Sequence, residues 1–166
     1  MIKNKKLIEN IKLLAIKICL LLIILFMTTS YFFSITKMNG ENMYPSFRDG
    51  DLLLYSKYNQ TYRIGDIVVY RDKDYIRCAR IIAKENDIVD INDDGEVIVN
   101  NNIDNENIFY KTEPLQNISY PYSIKEGHYF VLGDYRPYSI DSRTHGSISY
   151  KDILGKITSL LRIRGI

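Results

Sequence analysis

Polar and apolar positions divide the chain into two unequal regimes. From Ile18 to Thr36, ICLLLIILFMTTSYFFSIT, no charge interrupts nineteen positions, and Lys17 and Lys37 bracket them. A helix of that length rises about 28 Å at 1.5 Å per residue, close to the thickness of a bilayer's hydrocarbon core. Lys3, Lys5, Lys6, Lys12 and Lys17 precede the run, against the single acid Glu9. That bias places the N-terminus in the cytoplasm and everything beyond Lys37 outside. Tyr31, Phe32 and Phe33 suit the outer interface. A cleaved signal peptide shares the charged start and apolar middle, but this run is longer than a usual h-region and no small-x-small site follows it. The pattern predicts a basic cytoplasmic tail over 1–17, a single-pass membrane anchor over 18–36 and an extracytoplasmic domain over 38–166.

Beyond residue 38 helical periodicity fades and short β-branched or aromatic runs take over. DLLLYSK (51–57), GDIVVYR (65–71) and YIRCARIIA (75–83) read as strands. DIVDINDDGEVIVN (87–100) reads as a hairpin turning at Asp94-Gly95. GHYFVLGD (127–134) reads as another strand ending in a turn. Residues 100–125 are polar and rich in Asn and Tyr, and read as a long loop. The last segment, DILGKITSLLRIRGI, reads as a final strand, although Arg162 and Arg164 among its apolar residues also suit a membrane surface. The expected fold class is mostly β: a small coiled β-barrel or folded sheet behind one transmembrane helix.

Composition removes several functions. The formal charge of +2 gives no case for nucleic-acid binding. Cys19 falls inside the apolar run, so it and Cys78 are not expected to pair. Neither cysteine has metal-ligand spacing, and His128 and His145 stand alone, so no metal or other cofactor is expected.

Four segments, in order, resemble the type I signal peptidase family, the membrane-anchored Ser/Lys proteases that remove signal peptides. GENMYPSFRDGD (40–51) resembles the nucleophile segment. GDIVVY (65–70) resembles the family's Gly-Asp-Ile-Val strand. YIRCARIIAKENDIV (75–89) resembles the segment that carries the general base. LGDYRPYSIDSRTHG (132–146) resembles its Gly-Asp-Asn-Arg…Ser-x-Asp-Ser-Arg segment and is the most specific of the four. The resemblance implies a β fold with a groove beside the membrane, where a serine attacks the scissile carbonyl and a neutral lysine takes its proton.

Residue by residue, the nucleophile position is Asn42 and the general-base position is Ala79. A carboxamide cannot serve as an acyl-transfer nucleophile, and alanine has nothing to titrate. Ser46 lies four residues on, and misplacement of even about 1 Å can cost 100-fold. Cys78 is expected on the opposite strand face from Ala79, and Arg77, on the same face, is never a base at neutral pH. Lys73 and Lys84 read as surface charges. Asn42 and Ala79 are expected to face each other across the groove. The resemblance also marks Met43, Pro45, Arg80, Asp134, Ser139, Asp141 and Arg143 as groove and scaffold residues. Asp141 and Arg143 are expected to pair, with Arg80 and Asp134 in the same bracing set, while Ser139 reads equally well as a plain turn serine. Gly133, Gly146 and Gly155 are expected in turns with positive φ.

Two functions are implied. In one, a groove without its dyad binds an exported polypeptide, such as a pilin precursor, without cutting it. It would act beside an active signal peptidase paralogue or sortase-type assembly machinery. In the other, an active peptidase cleaves translocated precursors with a nucleophile not recognised here. A degenerating paralogue is the third reading.

Overall fold

The computed structural model describes residues 2–58, 61–104, 110–115 and 117–162, with side chains from Ile8 onward. The side chains of Lys3, Lys5 and Lys6, together with Arg164 and the end of the final segment, lie outside the described residues.

Helix α1 runs Ile2–Phe32, and its stretch Ile8–Phe32 is long and apolar enough to cross a membrane. Its side chains from Ile8 on are exposed all round, so nothing in the protein covers them. The hydroxyls of Thr28 and Thr29 donate back to carbonyls one turn earlier, so these two are satisfied within the helix. The helix ends four residues earlier than expected. Phe33–Lys37 forms strand β1, because each of its residues finds an antiparallel partner in β2 (Leu52–Ser56).

The rest is β: β3 (Ile67–Asp72), β4 (Tyr75–Lys84), β5 (Ile88–Ile91), β6 (Val97–Val99), β7 (Asn102–Ile103), β8 (Tyr122–Ser123), β9 (His128–Leu132), β10 (Ile148–Ser149) and β11 (Ile153–Leu161). A four-residue helix, α2 (Ser142–His145), precedes β10. One antiparallel sheet has the order β1-β2-β11-β3-β4-β9-β10, and a smaller one the order β7-β6-β5-β8. The barrel alternative is thereby corrected. β1 and β10 sit at opposite ends of the large sheet and do not pair, so it stays open. Register shifts within β4 and β11 bend it instead. The expected strands at 51–57, 65–71, 75–83 and 127–134 all form, as do the 87–100 hairpin, with Gly95 at φ +79°, and the final strand.

Alternation in β3 and β4 sends side chains to two apolar layers. Val68, Tyr70, Ala79 and Ile81 join Tyr62, Val131, Ile148 and Ile153 on one side. Val69 and Cys78 join Met38, Met43, Phe47 and Leu53 on the other. Ile82, Ala83, Phe130 and Leu132 pack against Val89 and Val97 of the smaller sheet.

Two of the glycine expectations are corrected. Gly146 has positive φ, but Gly133 and Gly155 are not among the positive-φ residues. They are small because another chain segment passes close. A Cβ on Gly133 would lie 2.6 Å from the Asn42 carbonyl oxygen and closer still to Ser139 Oγ. A Cβ on Gly155 would lie 2.7 Å from Tyr55 Cδ2.

Candidate functional site

The turn between β1 and β2 carries Asn42, and Met43 anchors it. The Met43 side chain is fully buried against Cys78, Phe47, Leu53 and Val69, which holds its neighbour Asn42 over the start of β4. Asn42 Nδ2 donates to the Cys78 carbonyl at 2.8 Å. That carbonyl belongs to the peptide bond leading into Ala79. Ordinary bond lengths along the path put the Asn42 and Ala79 Cβ atoms within about 10 Å. Ala79 itself is 1% exposed and surrounded by Val68, Tyr70, Ile81 and Val131. Cys78 points to the opposite layer, and burial pushes its thiol up to about 12. It is therefore no thiolate at neutral pH.

The 132–146 segment closes over the same turn. Ser139 does more than a plain turn serine: its one hydroxyl hydrogen is shared between the Tyr135 carbonyl at 2.7 Å, within its own turn, and the Asn42 carbonyl at 3.0 Å. The Tyr135 N–H donates to the Asn42 carbonyl as well. Gly133 makes this close approach sterically feasible.

The charged scaffold residues form two networks, not the single bracing set expected. Arg80 forks onto Asp134 at 2.9 and 2.6 Å. Asp134 also accepts from Ser46 Oγ at 2.5 Å, which ties the segment after cis-Pro45 to β4. The second network is buried. Arg143 forks onto Asp141 at 2.9 Å on both arms, and donates to the Arg136 carbonyl at 2.7 Å. Asp141 also accepts from the Gly133 and Arg143 backbone N–H groups. Arg136 in turn reaches the Gly133 carbonyl and Thr112 Oγ1. Both networks converge on the backbone around Gly133–Asp134. Lys73 and Lys84 are exposed, and Arg77 pairs with Asp72 at 2.8 Å.

Sequence reasoning missed the Ser46–Asp134 link and a tyrosine cluster beside the site. Tyr135 is ringed by Tyr44, Tyr110 and Tyr138 at centroid distances of 4.7–6.0 Å. The one signal for it was the tyrosine standing at 135 where the resemblance expects asparagine.

A cleft of about 50 Å³ opens between the end of β1 and the start of β4, lined by Thr36–Asn39, Asn42 and Ile76–Cys78. β9 pairs with β4 only from Arg80 onward, so Tyr75–Ala79 has no strand on that side. β1 is an edge strand of its sheet. The arrangement presents two strand edges without a neighbouring strand, one of them with its Cys78 carbonyl taken by Asn42. Such edges are the form that takes up an extended peptide.

Comparisons agree with this geometry. Signal peptidase I V of Bacillus subtilis is 29% identical over 74% of this chain and 82% of its own length. Signal peptidase I S of the same species is 27% identical over 92% of this chain and 88% of its own. A probable thylakoidal processing peptidase 2 of Arabidopsis thaliana is 31% identical, and the match spans 70% of this chain but only about a third (35%) of that protein. The crystal structure of a signal peptidase I from Enterococcus faecalis superposes with TM-score 0.52 at 23% identity, over 59% of this chain and 97% of that one, and shares its fold. The sequence profile described as signal peptidase, peptidase S26, matches residues 9–161, nearly the whole chain, which is thus a single-pass membrane member of that family.

Proposed function

We propose that the protein is a signal-peptidase-type domain that holds exported polypeptides in its groove without cleaving them. One observation carries the reading. At the position where the family resemblance expects a nucleophile, an amide is engaged with the Cys78 carbonyl, and where it expects a general base there is a buried alanine. Neither nearby hydroxyl replaces the pair. Ser46 Oγ donates to the Asp134 carboxylate, whose two oxygens are already forked by Arg80. Ser139 Oγ bonds only to carbonyl oxygens. A nucleophilic serine needs a basic partner within hydrogen-bond reach; among the described residues Ser139 has none, and Ser46 has only a carboxylate engaged by Arg80.

The retained strand edges support binding of an extended segment, which a precursor emerging beside the anchor supplies. A pilin precursor, an active paralogue and sortase-type machinery are the partners this reading puts forward. The lysine-rich start supports a cytoplasmic N-terminus, with the basic tail leading into the anchor and the domain from residue 38 on the outer side. Active cleavage of signal peptides is the competing reading, favoured by the Bacillus relatives' names.

The test uses the full-length chain in liposomes with a precursor carrying an Ala-x-Ala site and a photo-crosslinker beside it. Crosslinked, uncut precursor supports the proposal. Cut precursor overturns it.

A further inference from the structure

A second cleft, of about 120 Å³, lies away from the dyad positions, lined by Lys57, Tyr62, Tyr150, Lys151, Ile153 and Leu154. Its place relative to the membrane follows from Lys57. The Lys57 backbone N–H donates to the Phe32 carbonyl at 2.8 Å, and its Nζ donates to the Ser30 carbonyl at 3.1 Å. Phe32 is the last residue of the apolar span, and its ring meets that of Tyr58 edge-on at 5.2 Å. One lip of the cleft is thus fixed to the end of the membrane helix, the depth at which lipid phosphates lie.

The lining suits an anion. Neither Lys57 nor Lys151 makes an ion pair among the described residues, and the acid next to Lys151, Asp152, does not line the cleft. Lys57 spends one ammonium hydrogen on Ser30 and keeps two. Tyr62 is 7% exposed, yet its hydroxyl has no hydrogen-bond partner among the described residues. Tyr120 Oη is the only buried side-chain polar atom without a partner there. The Tyr62 hydroxyl therefore reaches solvent, through the cleft it lines. Burial and the neighbouring Tyr150 and Tyr129 push this phenol up to about 12, so it remains a hydrogen-bond donor. Two ammonium groups and a protonated phenol around an open volume offer donors and no acid.

We propose that this cleft holds the phosphate of an anionic phospholipid headgroup in the leaflet from which the anchor emerges. The bound lipid fixes the domain's tilt on the membrane through Lys57 and the helix end, independently of what the groove binds.

The test reconstitutes the full-length chain in nanodiscs of phosphatidylcholine, alone or mixed with phosphatidylglycerol. It reads retained lipid by native mass spectrometry and unfolding temperature by circular dichroism. Native protein is expected to retain phosphatidylglycerol and to unfold at higher temperature in its presence. Lys151→Gln is expected to weaken retention about fivefold, the effect of one lysine near an anionic surface. Tyr62→Phe, which keeps the ring packing, is expected to reduce it too, with unfolding in pure phosphatidylcholine unchanged for both. Lys73→Gln makes the same charge change on the β3–β4 turn and is expected to leave retention as it was. Equal losses from Lys73→Gln and Lys151→Gln would show diffuse attraction and overturn the site. So would native protein that prefers neither lipid. If inorganic phosphate alone reproduces the whole gain in phosphatidylcholine, the ligand is free phosphate and the lipid assignment falls.

Discussion

Replacing Asn42 by Ser and Ala79 by Lys together is expected to raise signal peptidase activity well above that of the native chain. The structural cost is bounded. Asn42→Ser removes the hydrogen bond to the Cys78 carbonyl, worth about 1 kcal/mol. Ala79→Lys inserts a four-carbon stem among Val68, Tyr70, Ile81 and Val131, an overpacking cost of about 1–3 kcal/mol. Neutralising a lysine whose pKa burial lowers by about 3 or more units adds about 4–5 kcal/mol at pH 7. The sum, about 6–9 kcal/mol, falls inside the stability range of most domains, about 5–15 kcal/mol, and the folding check decides whether the assay counts. The apolar wall helps the chemistry, because burial lowers a lysine's pKa by up to about 3–5 units and supplies the neutral amine a base requires. A complete catalytic unit is worth about 10⁶-fold in turnover, and a positional error of about 1 Å takes back about 100-fold. An unoptimised pair should therefore gain between about 10² and 10⁴-fold. The assay follows release of the mature fragment from an Ala-x-Ala precursor in liposomes, with folding checked by tyrosine circular dichroism. Each single replacement should be silent, and the double variant's rate should rise with pH as the introduced lysine loses its proton. A native chain that cuts as fast as the double variant would refute the reasoning, and so would a folded double variant that stays silent.

Three further outcomes test the scaffold. Asp141→Ala leaves Arg143 as a buried, unpaired cation, so the guanidinium-chloride midpoint should fall by an amount equivalent to about 3–5 kcal/mol. Gly133→Ala places a methyl against the Asn42 carbonyl and Ser139 Oγ, and thermal unfolding should show a loss of about 1–3 kcal/mol. Arg162 hydrogen-bonds Asp51, and that bond, with help from Arg48, holds the carboxyl below its ordinary value against the opposing effect of burial. A depressed carboxyl stabilises the fold above its unfolded pKa, near 3.9, and the contribution disappears as pH falls through the folded value. Urea midpoints of Arg162→Gln should therefore lie below native at pH 7 and converge with native as pH falls through the folded carboxyl's lowered value.

How much of this was legible in the sequence depended on what each residue's role required. The strands were legible because Ile67–Asp72 and Tyr75–Lys84 combine β-branched runs with short polar turns. The four segments with family resemblance were legible because order and spacing survive even where Asn42 and Ala79 stand. The end of the helix was not: the uncharged run continues through Phe33–Thr36, and pairing with Leu52–Ser56 makes that stretch a strand. The openness of the sheet was equally hidden, since closure depends on β1 and β10 meeting and both are short segments with ordinary alternation. The glycines misled for a related reason. Positive φ and close packing both demand glycine, and only the three-dimensional neighbours of Gly133 and Gly155 tell the two apart. Ser46 and Asp134 are 88 positions apart, so their hydrogen bond has no local signature at all.

The two charged networks explain how a chain can carry this site without the residues of catalysis. Arg80, Asp134 and Ser46 bond to one another and to the Gly65 carbonyl. Asp141, Arg143 and Arg136 bond to one another and to backbone, and Ser139 and Tyr135 grip Asn42 through its main-chain carbonyl. None of these contacts uses the Asn42 side chain, and none uses more of Ala79 than any residue of β4 would give. Fold and chemistry are therefore separable at positions 42 and 79. An uncharged side chain of similar size there costs at most a few kcal/mol, while loss of Asp141 strands a buried cation. A groove kept without its dyad is thus a physically consistent end point, and the conservative repair of two positions is the experiment on which that consistency depends.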